Sequence, residues 1–372
     1  MSKPLRSSVG ASVPENLQIT HTYVFFLIAA MQIGVGILSL ERVVVQTTGY
    51  DGWISIFITG MVLHVVLWMM YHILADCKGD IVTANQLVFG KYIGGILSLA
   101  FSLYILVLTL NVLVSFIEII RVWVFPSLNL WIFVAFMIAL IYYFVVGGFR
   151  VITGLCLMSI LIGLPILWLK FFPTQAGDTL EIYPIITHSL KEILQGSEVT
   201  LFSFLGMELL LIYYPFIKNP QASKKWAHYG VFFTTMIYVV SALAVFIYYS
   251  EEQIRQVTWP TISTWKIVQF PFIERFEFIG IAMWMFVIMP NICLGLWGST
   301  RLAKRVFNIN QTYVLVIACI VLYLFTGAIN ERMQIKVLSD YTGNVGMYVY
   351  LYIPVLFILM KIKGRWRKMI YE

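Results

Sequence analysis

Charge is what this 372-residue chain has least of. Asp, Glu, Lys and Arg make up 12% of it, where a soluble domain carries roughly 25%. With 60% hydrophobic residues, that scarcity excludes an ordinary soluble globule. Cysteine is also scarce. Cys77, Cys156, Cys293 and Cys319 are scattered without a C-x-x-C, so they read as small apolar packing residues and not as a disulfide framework or metal site. The histidines, His21, His64, His72, His188 and His228, show no metal spacing. No nucleophile elbow, phosphate loop, zinc motif or dinucleotide fingerprint occurs, so neither an enzyme nor a cofactor is expected. Gly94-Gly95 and Gly147-Gly148 read as loop and packing glycines. The formal charge of +7 does not indicate nucleic acid, because the cations sit in short loops between apolar spans. Signal-peptide features are missing too. Residues 1–18 are polar, and the first apolar stretch is too long for a signal core and lacks a small-residue cleavage site.

Long apolar runs are what the chain has in abundance. A helix needs about 20 apolar residues to cross a bilayer. The runs give ten spans, at 19–47, 52–75, 92–120, 128–148, 150–171, 198–217, 226–250, 276–301, 311–329 and 343–363. They are continuous, not alternating, so helices are expected and barrel strands are not. The fold class is therefore an all-α membrane protein of ten transmembrane helices. Residues 1–18 form an N-terminal tail, 19–363 the membrane domain and 364–372 a basic tail, and the basic run Lys361 to Lys368 is attracted to anionic membrane lipid. Placing the N-terminus inside puts sixteen of the Lys and Arg residues on the cytoplasmic side and nine outside, Lys170 among the nine. This bias predicts that both termini are cytoplasmic.

Two outer loops are long and partly apolar, which suggests lids over the bundle mouth. One, 172–197, contains Glu181-Ile182-Tyr183-Pro184 and then a short amphipathic piece. The other, 250–275, contains Trp259-Pro260-Thr261-Ile262-Ser263-Thr264-Trp265. Ten spans divide into five and five, and an odd number of crossings reverses direction. A second half built like the first would be inverted, with repeats at about 19–171 and 198–363.

Polar groups in mid-span point to function. The sixth span carries Glu208 within Ser203-Phe204-Leu205-Gly206-Met207-Glu208. It could bind a ligand amine, carry a coupling proton, or hold the first span through hydrogen bonds, and the last of these is preferred. The first span carries Gln32-Ile33-Gly34-Val35-Gly36-Ile37. Its glycines weaken a helix by about 1 kcal/mol each relative to Ala and can free backbone groups to face a cavity; close helix packing would also use them. Gly206 is the matching break in the sixth span, where a half-helix N-terminus suits a carboxylate. Met289-Pro290-Asn291 places a Pro and an amide side chain inside the eighth span. Thr109 and Asn111 are polar positions in the third. Glu118 and Arg121, three apart, are expected to pair.

Six strings now coincide in order: Gly34-Val35-Gly36-Ile37-Leu38, Asp51-Gly52-Trp53, Ser203-Phe204-Leu205-Gly206-Met207-Glu208, Trp259-Pro260-Thr261-Ile262-Ser263, Ile273-Glu274-Arg275-Phe276-Glu277 and Ser339-Asp340-Tyr341. Over essentially its whole length the chain resembles the B-subunit family of bacterial spore germinant receptors (GerA-type), itself similar to amino acid–polyamine–organocation transporters. One position departs: the family often has Pro before the Arg that follows the first break, where this chain has Glu41 before Arg42. The resemblance implies a LeuT-like 5+5 bundle with discontinuous first and sixth helices, in the inner membrane of the endospore. It implies partner A and C subunits, the C subunit a lipoprotein, and a small germinant such as an amino acid or sugar. It places the pocket between spans 1, 3, 6 and 8, at Gly34, Val35, Gly36, Leu108, Leu205, Gly206, Glu208, Asn291 and Gly295. Three readings stand: a germinant sensor, an active amino-acid permease, and an ion-conducting receptor subunit.

Overall fold

The computed structural model describes residues 13–183, 186–268 and 274–371, with backbone only for 181 and 364–371. Residues 1–12, Pro184, Ile273 and Glu372, and the side chains of the basic tail, lie outside the described residues. The elements of the described residues are all helical. Helices α1 (Val24–Gln32) and α2 (Leu40–Thr48) are followed by α3 (Gly52–Cys77), α4 (Ile81–Trp123), α5 (Leu130–Val146), α6 (Phe149–Trp168) and α7 (Phe171–Ala176). Then come α8 (Leu190–Leu201), α9 (Leu210–Tyr213), α10 (Lys224–Tyr248), α11 (Glu251–Gln256), α12 (Pro260–Trp265), α13 (Phe276–Phe307), α14 (Gln311–Ala328) and α15 (Arg332–Tyr371). Among the described residues seven helices are long and apolar enough to cross a membrane, and α8 with α9 makes an eighth if that bent pair is one span.

Three expected boundaries move. The third span, expected to begin at 92, is the latter part of α4, which starts at Ile81. Gly90 interrupts it at φ 81°, a left-handed value that glycine adopts at little cost. The run before it, with Asn85 and Gln86, is too polar to register as a span. The tenth span, expected at 343–363, lies within the much longer α15, whose first turns are polar. The amphipathic piece of the first long loop is the start of α8. Its N-terminus is fixed by a capping box, in which Ser189 and Glu192 each bond the other's backbone amide. Glu118 and Arg121 form no ion pair; Arg121 donates instead to the Asn330 carbonyl at 3.3 Å.

The core lies where α13 and α4 cross, with α6 and α1 packed around them. Gly295 makes the crossing close, since a Cβ there would collide with the Thr109 hydroxyl. Thr109 satisfies that hydroxyl on its own helix, on the Ile105 carbonyl at 2.7 Å. All four cysteines are free and buried. Outward faces carry Ile93, Phe136, Val240 and Ile317, an apolar rim suited to lipid.

Candidate functional site

The first break spans 33–39. α1 stops where Ile33 turns extended (φ −77°, ψ 92°), and a short 3-10 turn, Gly36–Leu38, leads into α2. Unwinding frees backbone donors. The N–H groups of Gly34, Val35, Gly36 and Ile37 find no acceptor among the described residues. Val35 and Gly36 are half-buried, while the residues on either side of them are closed over.

The second break lies between α8 and α9, where the chain bends by 53°. Leu205 is extended and Gly206 sits at φ 115°. Its conformation suits glycine alone, and a Cβ there would stand 3.0 Å from the Met31 carbonyl. Glu208 follows at once and is fully buried. One of its oxygens accepts from the Tyr104 hydroxyl of α4 at 2.7 Å. The other accepts from the Gly206 amide at 2.8 Å and the Tyr350 hydroxyl of α15 at 2.9 Å. A carboxylate buried away from water needs such partners. These bonds tie the break to α4 and α15.

The two breaks touch. A Cβ on Gly36 would stand 3.0 Å from Ser203 Cα. Tyr238, fully buried on α10, places its hydroxyl 2.5 Å from the Gln32 carbonyl and 2.8 Å from the Ser203 carbonyl. That hydroxyl has one proton, so it serves one carbonyl at a time and the two breaks share it. Gln32 Nε2 reaches the Phe204 carbonyl at 3.4 Å, while its Oε1 is buried without a donor. From α13, Asn291 Nδ2 donates to the Ala30 carbonyl at 2.8 Å and lies 3.4 Å from that of Ile33. Its other amide atom lies 3.1 Å from where a Gly34 Cβ would be. On α4, Asn111 Oδ1 accepts from Ser339 at 2.8 Å, and its buried Nδ2 has no acceptor.

Beyond the first break lies a second buried acid. Glu41, the position where the chain departs from the family's pattern, is fully buried on α2. Its Oε1 accepts from Ser241 at 2.8 Å and Thr261 at 2.7 Å. Lys170 Nζ stands 3.8 Å away and donates to the Thr261 hydroxyl at 2.7 Å. Lys170, counted from the sequence among the nine cations of the outer side, is 5% exposed. Thr261 belongs to α12, the Trp-Pro-Thr-Ile-Ser segment, whose Ile262, Thr264 and Trp265 are also buried. The other long loop is held by Asp51, which accepts from the amides of Ile186, Thr187 and His188 at 2.7, 2.7 and 3.0 Å. Both loops thus pack against the part of the chain that follows the first break.

Of the nine residues named from the sequence, Gly34, Val35, Gly36, Leu205, Gly206, Glu208 and Asn291 lie at the two breaks or on the contacts that join them. Gly295 and the buried Leu108 lie instead along the α4–α13 crossing. Sequence reasoning missed Tyr104, Tyr238 and Tyr350, none of which was singled out from the sequence. Their mid-span positions were the available signal, since an aromatic belt sits at span ends.

Residues 18–335 match the protein family described as spore germination protein. The chain is 40% identical to spore germination protein GerQB of Bacillus cereus, over 96% of this chain and 99% of that protein. Among solved structures, the substrate-bound, outward-open state of a Na+-coupled sialic acid symporter matches with a TM-score of 0.67 at 12% identity, over 93% of this chain and 79% of that one. MhsT in complex with L-phenylalanine matches with a TM-score of 0.62 at 13% identity, over 91% and 87%. At such identities the likeness is one of fold.

Proposed function

The chain belongs to the spore germination protein family, and on that premise we propose that it is the B subunit of a spore germinant receptor. It binds a small nutrient germinant, an amino acid or sugar, between the two helix breaks near the bilayer midplane. Binding shifts a conformational population, and the partner A subunit and C lipoprotein pass the signal on. The subunit lies in the inner membrane of the endospore as ten helices in two inverted sets of five, with both termini cytoplasmic.

The observation that carries this reading is the unpaired run of amides from Gly34 to Ile37, packed against the second break at Ser203. Free N–H groups at a helix break attract anionic or strongly polar ligand atoms. Glu208 is assigned a positioning role. Both its oxygens are already engaged by protein donors, so a ligand amine would have to displace them. A ligand moves the equilibrium only by its differential affinity for the two states. The small cost of breaking a single shared bond, such as that of Tyr238, suits a receptor that must respond to a small solute.

The test is Gly36→Leu, which drives a side chain into the Ser203 backbone. Spores carrying it should lose the germinant response while the protein still inserts in the membrane. A normal dose response would refute the pocket. The fold it shares with a symporter favours a second reading, an active amino-acid permease. Uptake of labelled candidate germinants by proteoliposomes holding this chain alone separates the two, because concentrative uptake belongs to the permease.

A further inference from the structure

The face that carries residues 13–20 holds a cleft of about 490 Å³ that no residue of either break lines. Four parts of the fold line it: the N-terminal residues Val13 and Gln18, the α3–α4 turn with the helix ends beside it, the segment 214–221 that follows α9, and the end of α13. Its charges are unbalanced. Asp80 is its only acid, and Arg305 takes both carboxylate oxygens, at 2.9 and 3.3 Å. Asp80 also caps α4 through the Thr83 amide at 3.0 Å. That leaves Lys78 and Arg301. The Arg301 side chain is half-buried, its guanidinium lies 5.1 Å from the centre of the Phe216 ring, and it has no hydrogen-bond acceptor among the described residues. Its N–H donors, on a fixed planar fork, are therefore open to a ligand in the cleft. The shape of that fork matches an oxyanion.

We propose that this cleft binds a phosphate-type oxyanion, seated on Arg301 and Lys78. Arg301 is on α13 and Lys78 is in the α3–α4 turn, so the anion bridges two elements that Arg305 also joins, through Asp80 and Thr83. Bound there, it holds this mouth of the bundle shut. On the topology proposed above, the mouth faces the cytoplasm. The inference is independent of the ligand pocket at the breaks. The same oxyanion could come from free phosphate or from a phospholipid headgroup.

The test uses the full chain in nanodiscs. Inorganic phosphate is titrated by calorimetry in phosphatidylcholine nanodiscs, and thermal stability is compared between phosphatidylcholine and phosphatidylglycerol nanodiscs. Saturable phosphate binding in the neutral lipid identifies a soluble source. Stabilisation by phosphatidylglycerol alone identifies the headgroup. In either case Arg301→Gln should weaken the effect at least tenfold, Arg301→Lys should restore part of it, and Lys191→Gln, on α8 and outside the cleft lining, should leave it intact. Lys78 is exposed, so Lys78→Gln folds readily and should weaken binding severalfold. It decides the matter should the Arg301 variants fail to fold. The proposal is overturned if neither probe acts on the wild type, or if Arg301→Gln and Lys78→Gln respond as the wild type does.

Discussion

Glu208 is the acid that drew attention in the sequence, and the structure gives it three protein donors. That geometry separates two substitutions. In Glu208→Gln the amide oxygen can keep the Gly206 and Tyr350 bonds, while the Tyr104 hydroxyl rotates to accept from the new NH2. The expected cost is one altered hydrogen bond, about 1–2 kcal/mol, with germinant response or receptor assembly weakened. Glu208→Ala leaves three buried donors empty and should cost about 3 kcal/mol or more. Thermal unfolding of the purified variants checks the ranking, and equal losses would show that the bonds are not what the carboxylate supplies. Gly206 offers a related case. With φ at 115° and Met31 against it, Gly206→Ala combines backbone strain of about 1–3 kcal/mol with a clash. It should lower the melting temperature more than the same change at Gly154, where a Cβ meets open space.

At the scale of elements, α12 is a lid pinned by a buried ion pair. Glu41 and Lys170 come from α2 and from the end of α6, and Thr261 of α12 stands between them. Removing one partner of such a pair strands a charge, at about 3–5 kcal/mol, whereas removing both is far milder. Lys170→Met should therefore destabilise strongly, and Glu41→Gln with Lys170→Met should recover at least half of that loss. The coupling is read from a double-mutant cycle of unfolding midpoints, and simple additivity would show that the two side chains do not act on each other. The double variant should also shift the germinant dose response, because its lid is held by neutral hydrogen bonds alone. None of this was legible in advance. Lys170 sits at a span end, where the positive-inside count takes every lysine as exposed, and Glu41 registered only as a departure from the family's pattern. Continuous apolar runs locate helices well, but they cannot say which end-of-span charges the loops fold back to cover. The breaks were legible because their cause is local: glycines close to polar residues in an otherwise apolar run. The tyrosines that clasp them were not, since a hydroxyl's partner lies on a distant helix.

At the scale of the whole molecule, segments of the chain pack over both ends of the bundle. α12 covers part of one. At the other, residues 13–20 lie across the end of the bundle and pair with the segment after α9. The Ile19 amide donates to the Phe216 carbonyl and the Lys218 amide to the Ile19 carbonyl, each at 2.8 Å. Arg150 reaches the Asn16 carbonyl at 2.9 Å from the start of α6. The strap thus joins the first span to the fifth and sixth, where rocking of one half of the bundle against the other would have to part them. A free thiol reports on that motion. Cys77, at the end of α3 and 6% exposed, is packed beside Asp80 on the same face. Ile19→Pro deletes the amide that holds Phe216 and leaves the apolar bulk largely in place. Losing one such bond is worth about 1 kcal/mol, which is roughly fivefold in the open fraction. Labelling of Cys77 by a membrane-impermeant maleimide should accelerate by that factor in Ile19→Pro, with Cys156, Cys293 and Cys319 unaffected inside the bundle. An unchanged rate would mean that the strap only rests on the bundle and that the closed state is maintained elsewhere.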